Sequence, residues 1–349
     1  MNRRLLFGLA LALALLACPE RCPAPLIYTP EEGWVYEKAG ADTKWQRGRA
    51  KDQLEVAQTA FAKQDYDLSL KAARRVVTRW PFSDYAPQAQ YLVGRCYEEQ
   101  GKDEQAFKHY QRLLEKYPKM TNAHEVLERQ FIIANKFLGG QWRKALGVIP
   151  LPPSREKTIE MYEKIIKNAP YSDVAPQAQI NIGAANEKSR RYAEAMKAYE
   201  KAADRYSERE TVAADAMYKA GQAAIKQART AEYDQSTATR AIETFTEFNA
   251  LYPNDSRAPQ TKAQIDTLKA EQALGSYKIA RFYESKKRWP AALIYYNEVL
   301  VLDPNGPRAK DARERIAEIK QRIEAKPAAE AAPRESSKPE AKPDASAAK

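Results

Sequence analysis

The residues that decide the fold read PFSDYAPQAQ at positions 81–90 and return as PYSDVAPQAQ at positions 170–179. A weaker third copy lies at residues 253–260. The copies start too far apart for one helical hairpin, and their spacing suits two hairpins with inserted residues. Such a repeat predicts a chain of similar helical units, each of which buries its apolar face against its neighbours.

The segment between the first two copies carries the pattern of the tetratricopeptide repeat. This repeat is a helix–turn–helix of about 34 residues with small residues at the helix crossing and a proline after the second helix. Gly94 stands at the expected crossing, Ala106 and Tyr110 face it from the second helix, and Pro118 ends the unit. The sequence therefore predicts an all-α fold, a tetratricopeptide-repeat solenoid of about six helical hairpins with a C-terminal capping helix. The expected hairpins span residues 49–81, 87–118, 121–170, 175–207, 211–253 and 262–304, and the capping helix spans residues 308–323.

The first residues are typical of an export signal. Arg3 and Arg4 precede an apolar run that is too short to span a bilayer, so residues 1–17 are predicted to be a cleaved signal peptide. Cys18 then completes LLAC, which resembles a lipobox, the motif at which bacteria attach diacylglycerol to cysteine. Cys18 is therefore the predicted lipidation site, and Pro19 favours the outer membrane because it replaces the aspartate associated with inner-membrane retention. An ordinary cleaved signal and an uncleaved anchor are the alternatives.

Composition divides the rest of the chain into three parts. Residues 18–48 are expected to be a lipidated tether, part of which can pack on the first hairpin, and residues 49–324 are expected to form the array. Residues 325–349 consist mainly of Ala, Pro, Lys, Glu and Ser without an aromatic residue, which predicts a disordered tail. The Pro-rich insertion at residues 139–154 interrupts the third hairpin and is expected to be a loop.

The chain offers no residues arranged for chemistry. Its two histidines, His109 and His124, have no cysteines or carboxylates around them at metal-ligand spacing. No phosphate-binding loop or nucleophile motif is present, so we expect no catalytic residues, no metal, no cofactor and no enzyme activity. Cys96 falls on an apolar helix face and is predicted to be a core residue. The formal net charge of +11 suits anionic lipid head groups or acidic partners, and nucleic acid is not an expected partner of an exported protein.

The lipobox, the hairpins and the phrase YAPQAQ at residues 85–90 together resemble the BamD family, the lipoproteins of the β-barrel assembly machinery. The long helix expected from Ala258 to Lys287, followed by WPAAL at residues 289–293, is similar to the last hairpin of that family. The resemblance covers about residues 49–324. The family commonly has five hairpins, one fewer than the sequence predicts here.

This resemblance implies a lipid-anchored scaffold on the periplasmic face of the outer membrane. Its partners would be proteins of the barrel-assembly machinery, including the barrel-forming component on which it docks. It would also bind unfolded outer-membrane proteins through their C-terminal strand signal. The alternative is a tetratricopeptide lipoprotein adaptor for pilus, secretion or cell-wall machinery. A third reading, an envelope enzyme with a helical targeting module, leaves no residues for a catalytic domain.

The first helix of each hairpin lines the concave side of such an array. Positions counted from the repeat start place Leu54, Gln58 and Phe61 there from the first hairpin, and Tyr91 and Arg95 from the second. An extended peptide with apolar and aromatic side chains could lie against Leu54, Phe61 and Tyr91, while Arg95 binds a terminal carboxylate. These residues are predicted to bind peptide. The other interpretation is that they are ordinary groove residues.

Overall fold

The computed structural model describes residues 26–29, 33–36, 45–120, 122–141, 143–145, 149–151, 154–230 and 235–331. These residues form thirteen helices and two short pairs of strands. The chain divides into two compact units, Met1–Ser154 and Arg155–Lys349. The predicted all-α body of tetratricopeptide hairpins is confirmed, and the strands lie outside the helical hairpins.

The first unit contains five helices, which pack against their neighbours along the sequence. A short antiparallel hairpin, β1 with β2, precedes them within the expected tether, and β3 pairs with β4 within the expected insertion. The elements are β1 (Leu26–Thr29), β2 (Gly33–Tyr36), α1 (Ala50–Ala62), α2 (Tyr66–Arg79), α3 (Ala86–Glu99), α4 (Asp103–Lys116), α5 (Ala123–Leu138), β3 (Arg143–Ala145) and β4 (Ile149–Leu151).

The second unit contains eight helices, and here too consecutive helices pack pairwise. They are α6 (Arg155–Asn168), α7 (Val174–Lys188), α8 (Tyr192–Arg205), α9 (Glu210–Thr230), α10 (Gln235–Leu251), α11 (Ala258–Ser285), α12 (Trp289–Leu302) and α13 (Ala309–Ala331). In the part of the chain that the structure describes, no helix has both the length and the apolarity to cross a membrane.

Two boundaries differ from the sequence-based expectation. The third hairpin was expected at residues 121–170, but its first helix α5 belongs to the first unit and its second helix α6 to the second. Within the second unit, α6 packs on α7. The capping helix α13 continues to Ala331, past the expected start of the tail, because Ala and Glu in this segment are good helix formers. Residues 332–349 lie outside the described residues.

The repeated phrase APQAQ, at residues 86–90 and 175–179, lies at the start of the first helix of a hairpin and ties it to the second helix. Pro87 stands in the first turn of α3, where its missing N–H would have no helical partner in any case. Gln90 is 2% exposed and donates from Nε2 to the backbone oxygen of His109 on α4 at 3.0 Å. Gln179, at the same place in the second copy, donates to the oxygen of Ala198 at 3.2 Å. The phrase thus sets both the helix start and the hairpin packing.

A glycine on the first helix packs directly against a tyrosine on the second in two of the hairpins. A Cβ added to Gly94 would lie 2.4 Å from Cε1 of Tyr110, and one added to Gly183 would lie 2.4 Å from Cε1 of Tyr199. The buried tyrosine hydroxyl in turn donates to a glutamate near the end of the first helix. Tyr110 bonds to Glu98 at 2.7 Å, and Tyr199, Tyr296 and their glutamates repeat the contact. At Gly94 and Gly183 the absence of a Cβ lets the aromatic ring come this close, whereas the hairpin of Tyr296 has Ala280 at this position.

In two places another tyrosine joins a hairpin to the turn that precedes it. The hydroxyl of Tyr117, just after α4, donates to the backbone oxygen of Pro81 at 3.0 Å. Tyr206, just after α8, makes the same bond to the oxygen of Pro170 at 3.2 Å, again 36 residues earlier. These bonds hold consecutive turns side by side within each unit.

Cys96 lies in the core, and the two histidines lie in different surroundings. Cys96 is fully buried and donates from Sγ to Ser69 Oγ at 3.2 Å, so its prediction as a core residue is confirmed. His109 stacks on Tyr97 with ring centroids 5.0 Å apart. His124 is exposed and lies 3.2 Å from Glu128. Neither histidine faces a group of metal-ligating side chains among the described residues.

The half-buried His109 predicts a dependence of stability on pH. Burial, with the positive charges of Arg112 and Arg74, lowers the pKa of His109 to about 3, against about 6.5 in an unfolded chain. Between these two values the unfolded state binds a proton that the native state does not bind. We therefore expect His109 to lower the free energy of unfolding as the pH falls from about 6.5 toward 3, by at most about 1.4 kcal/mol per pH unit.

The measurement is urea unfolding at several pH values for the wild type, His109→Gln and His124→Gln. In His109→Gln the free energy of unfolding should depend less on pH. Glutamine can still accept a hydrogen bond from Gln90, and it does not titrate. The exposed His124 is the matched control. Equal slopes for the wild type and His109→Gln would contradict the assignment.

Candidate functional site

Three of the residues predicted to bind peptide lie together in the first unit. Phe61 lies in the last turn of α1, and Tyr91 and Arg95 lie one helical turn apart on α3. The guanidinium carbon of Arg95 is 5.3 Å from the ring centroid of Phe61, and its Nη1 is 3.5 Å from the Tyr91 hydroxyl. All three side chains are half-buried, so each presents part of its surface to solvent.

The other two residues of the predicted site do not join this cluster. Leu54 is only 3% exposed because it packs in the core, so the expectation that it contacts a peptide is corrected. Counting positions from the repeat start identified the helix but not the side of it that packs inward. Gln58 is exposed on α1, one helical turn before Phe61.

Arg95 already has a carboxylate partner. Its Nη2 donates to Oε1 of Glu99, one turn further along α3, at 3.0 Å. The expectation that Arg95 binds a terminal carboxylate therefore stays a prediction, and such a carboxylate would have to take the place that Glu99 occupies. The side chains of this pair are 23% and 38% exposed, so the pair remains open to exchange.

Helix α5 adds two charged residues that fix Tyr91. The Tyr91 hydroxyl donates to Glu125, and Arg129 Nε donates to the Tyr91 hydroxyl at 3.0 Å. Arg129 also bonds to Glu125 at 3.1 Å and lies 3.3 Å from Glu98, which accepts from Tyr110. We call Tyr91, Arg95, Glu98, Glu99, Glu125 and Arg129 the Tyr91 network.

Electrostatics in the Tyr91 network follow from these bonds. The hydrogen bond from Tyr91, with bonds from Arg129, holds the pKa of Glu125 below its usual value. Burial and the bond to Glu125 raise the pKa of Tyr91, which therefore stays a neutral donor. Two arginines face three glutamates, so the network carries a net negative charge. A peptide carboxylate can enter only if it takes the place of a glutamate.

The sequence could have indicated Glu125 and Arg129, because each lies one repeat after a residue of the predicted site. Tyr91 and Glu125 are 34 residues apart, which is one repeat, and Arg95 and Arg129 have the same separation. Phe61 precedes Arg95 by the same interval. Extending the count by one repeat would therefore have found both α5 residues. The Glu98–Tyr110 bond, in contrast, depends on how the two helices cross.

Cys18, the predicted lipidation site, lies outside the described residues.

The fold defines a class of protein, the tetratricopeptide-repeat scaffolds, and residues 54–121 match the sequence profile of that repeat. Residues 154–334 match the profile of the YfiO family, described as outer membrane lipoproteins. The second match covers more than half of the chain, so this chain belongs to the YfiO family of outer membrane lipoproteins. The resemblance to BamD, a member of this family, is thereby confirmed. Both profiles describe non-catalytic scaffold or adaptor domains, and membership associates the chain with the outer membrane.

Solved tetratricopeptide structures resemble the chain only distantly. MamA from Desulfovibrio magneticus RS-1 is 15% identical, with 60% of this chain and 98% of that one covered and a TM-score of 0.32. The C-terminal part of a tetratricopeptide protein from Cytophaga hutchinsonii is 16% identical, with 76% and 88% covered and a TM-score of 0.33. Likenesses at this level say nothing about function. No curated protein sequence matches the chain.

Proposed function

We propose that this protein is a non-catalytic scaffold of the β-barrel assembly machinery, anchored to the periplasmic face of the outer membrane by lipid on Cys18. It docks on the barrel-forming component and binds unfolded outer-membrane proteins. The observation that carries this proposal is the match of residues 154–334 to the outer membrane lipoprotein family. The groove of the first unit supplies the site for the unfolded substrate.

The aromatic part of the site suits an extended peptide with apolar side chains. The Phe61 ring stacks against the Arg95 guanidinium, and the Tyr91 ring lies 5.9 Å from the guanidinium carbon of Arg129. Each ring is thus held by a cation on one side and keeps exposed surface for a ligand. The hydroxyl of Tyr91 is fixed by Glu125 and Arg129, so little side-chain freedom is lost on binding.

The charged part of the site suits a free C-terminus through exchange. Arg95 and Glu99 form a partly exposed pair on one helix, and such pairs contribute only about 0.3–0.5 kcal/mol. A peptide carboxylate can therefore replace Glu99 at Arg95 at little cost. The Glu99 side chain then turns into solvent. In this arrangement a peptide without a free carboxylate leaves the Arg95–Glu99 pair intact and binds through its apolar side chains alone.

Weak binding is expected and suits a protein that passes its substrate on. Burying one large apolar side chain contributes on the order of 1.5–3 kcal/mol at best. Ordering an extended peptide offsets much of this, so we expect dissociation constants in the micromolar range. Release then needs no conformational change in the helical array.

The test is fluorescence anisotropy with a labelled peptide that alternates apolar and polar residues and ends in an aromatic residue with a free carboxylate. Tyr91→Ala and Phe61→Ala should each weaken binding by about tenfold, which corresponds to about 1.4 kcal/mol. Glu99→Gln should tighten binding of the free-acid peptide and leave its C-terminal amide unchanged. Arg95→Gln should remove the preference for the acid over the amide.

Tyr277→Ala, in the second unit, is the matched control. The Tyr277 hydroxyl donates to Asp311, and the guanidinium of Arg308 lies over the Tyr277 ring. Tyr277→Ala should remove a similar network without affecting the peptide, and circular dichroism reports folding of every variant. Wild-type affinity in folded Tyr91→Ala, Phe61→Ala and Arg95→Gln would rule out this site. A scrambled peptide that binds equally well would favour an adaptor for pilus, secretion or cell-wall machinery.

A further inference from the structure

The turn that connects one hairpin to the next has the same backbone in six places. In each, the backbone N–H of the fourth residue donates to the oxygen of the first at 2.9–3.3 Å. The first residues are Trp80, Tyr117, Ala169, Tyr206, Tyr252 and Asp303. This shared geometry allows the side chains to be compared position by position.

The third position of this turn is fully solvent-facing, yet two of the turns place a large aromatic residue there. Phe82 is 99% exposed and Tyr171 is 86% exposed. The other four turns have exposed polar residues at this position, namely Lys119, Glu208, Asn254 and Asn305. Since the turn forms equally well with asparagine, folding does not require the aromatic ring. Phe82 and Tyr171 are therefore available for contact with something outside the chain.

Basic residues lie on the helix before Phe82 and at the end of the helix that the bond from Tyr117 to Pro81 brings near it. Arg75 and Arg79, near the end of α2, each lie 5.9 Å over the ring of Trp80, two residues before Phe82. The bond from Tyr117 to Pro81 brings the end of α4 alongside, with the exposed Lys116 and Lys119. We call Arg75, Arg79, Trp80, Phe82, Lys116 and Lys119 the Phe82 edge.

Positive charge prevails at the Phe82 edge. Two exposed carboxylates, Asp84 and Glu115, lie among its four basic side chains. Around Tyr171 the balance is different, because the acidic Asp173, Asp204 and Glu208 outnumber the basic Arg205 and Arg209, and Arg209 already pairs with Asp173 at 3.2 Å. The combination of an exposed aromatic ring with an excess of cations is therefore specific to the Phe82 edge.

We propose that the Phe82 edge is a membrane-contact surface, where Phe82 enters the interface of an anionic phospholipid bilayer and the basic side chains pair with lipid phosphates. Aromatic and basic side chains are the residues that favour the interface between lipid and water. Three observations favour a bilayer as the binding partner of the Phe82 edge. The chain belongs to an outer membrane lipoprotein family, the edge carries the charge opposite to anionic lipid, and Phe82 offers a single protruding ring instead of a groove.

The experiment places an environment-sensitive fluorophore two residues from Phe82 in the full-length lipoprotein. Asp84→Cys is labelled in a Cys22→Ser background, where the remaining Cys96 is fully buried. Ser256→Cys is the matched reporter, since Ser256 is exposed and has the same position in the Asn254 turn. Both proteins are reconstituted in vesicles of phosphatidylethanolamine and phosphatidylglycerol that contain brominated acyl chains.

The reporter at residue 84 should shift to shorter wavelength and be quenched by the brominated lipid, and the reporter at residue 256 should do neither. Phe82→Asn should remove the quenching without loss of helical content, since asparagine occupies this position in two other turns. Vesicles without anionic lipid should quench the reporter at residue 84 less. Equal behaviour of the two reporters, or quenching that persists in Phe82→Asn, would overturn the proposal and leave a protein partner as the occupant. Peptide anisotropy on the same samples reports the groove separately.

Discussion

Gly183→Ala should lower the free energy of unfolding by about 1–3 kcal/mol, the usual cost of forcing an extra methyl group into a packed core. The new Cβ would lie 2.4 Å from Cε1 of Tyr199. The ring cannot move aside, because it is fully buried and its hydroxyl is bonded to Glu187 at 2.9 Å. Alanine is favoured over glycine inside a helix by about 1 kcal/mol, so a net loss of stability would show that the steric clash prevails.

Chemical denaturation of the full chain measures this change. Gly48→Ala is the matched control, since no atom lies within 4 Å of its added Cβ and its stability should stay near that of the wild type. Tyr199→Leu in the Gly183→Ala background should recover part of the loss, because the two changes act on one contact. If Gly183→Ala proves as stable as the wild type, the hairpin tolerates a wider helix crossing than the contact implies.

Cys18→Ser should release the protein from the membrane. A diacylglycerol on the cysteine sulfur supplies two acyl chains, and two chains hold a protein firmly where a single chain holds only marginally. The wild type should therefore stay in the membrane fraction through a salt wash, and Cys18→Ser should not. Labelling with a radioactive fatty acid should disappear in the same variant.

Cys22→Ser is the matched control, since this cysteine lies in the same segment and is not preceded by a lipobox. It should keep both the label and the membrane attachment. Equal labelling of Cys18→Ser and the wild type would exclude lipid on Cys18.

The hairpins were predictable because their decisive contacts are local in sequence. A repeated phrase marks helix starts, and Gly94 with Tyr110 follows from the requirement for small residues where two helices cross. The division of the predicted third hairpin between two units was not predictable in this way. A periodic pattern indicates helices, but it does not state which neighbour each helix packs against when an insertion separates them.

The candidate site was predicted less well, for two physical reasons. Leu54 was assigned to the groove, but the side of α1 that faces inward depends on the angle at which α1 meets its neighbours. Arg95 was expected to be available, but its bond to Glu99 depends on rotamers that neither spacing nor composition specifies. Phe61, Tyr91 and Arg95 came together because repeat positions one period apart adjoin in space.

If the chain is exported as proposed above, the bonds from Tyr117 to Pro81 and from Tyr206 to Pro170 bear on how it folds during export. In each, the acceptor precedes the donor by 36 residues, so a chain that leaves the translocon N-terminus first presents the proline carbonyl before its tyrosine arrives. Each hairpin can then close on one that has already formed, and contacts this local favour rapid folding. The unpaired face of the newest hairpin stays open to periplasmic proteases only for the time needed to translocate about one repeat.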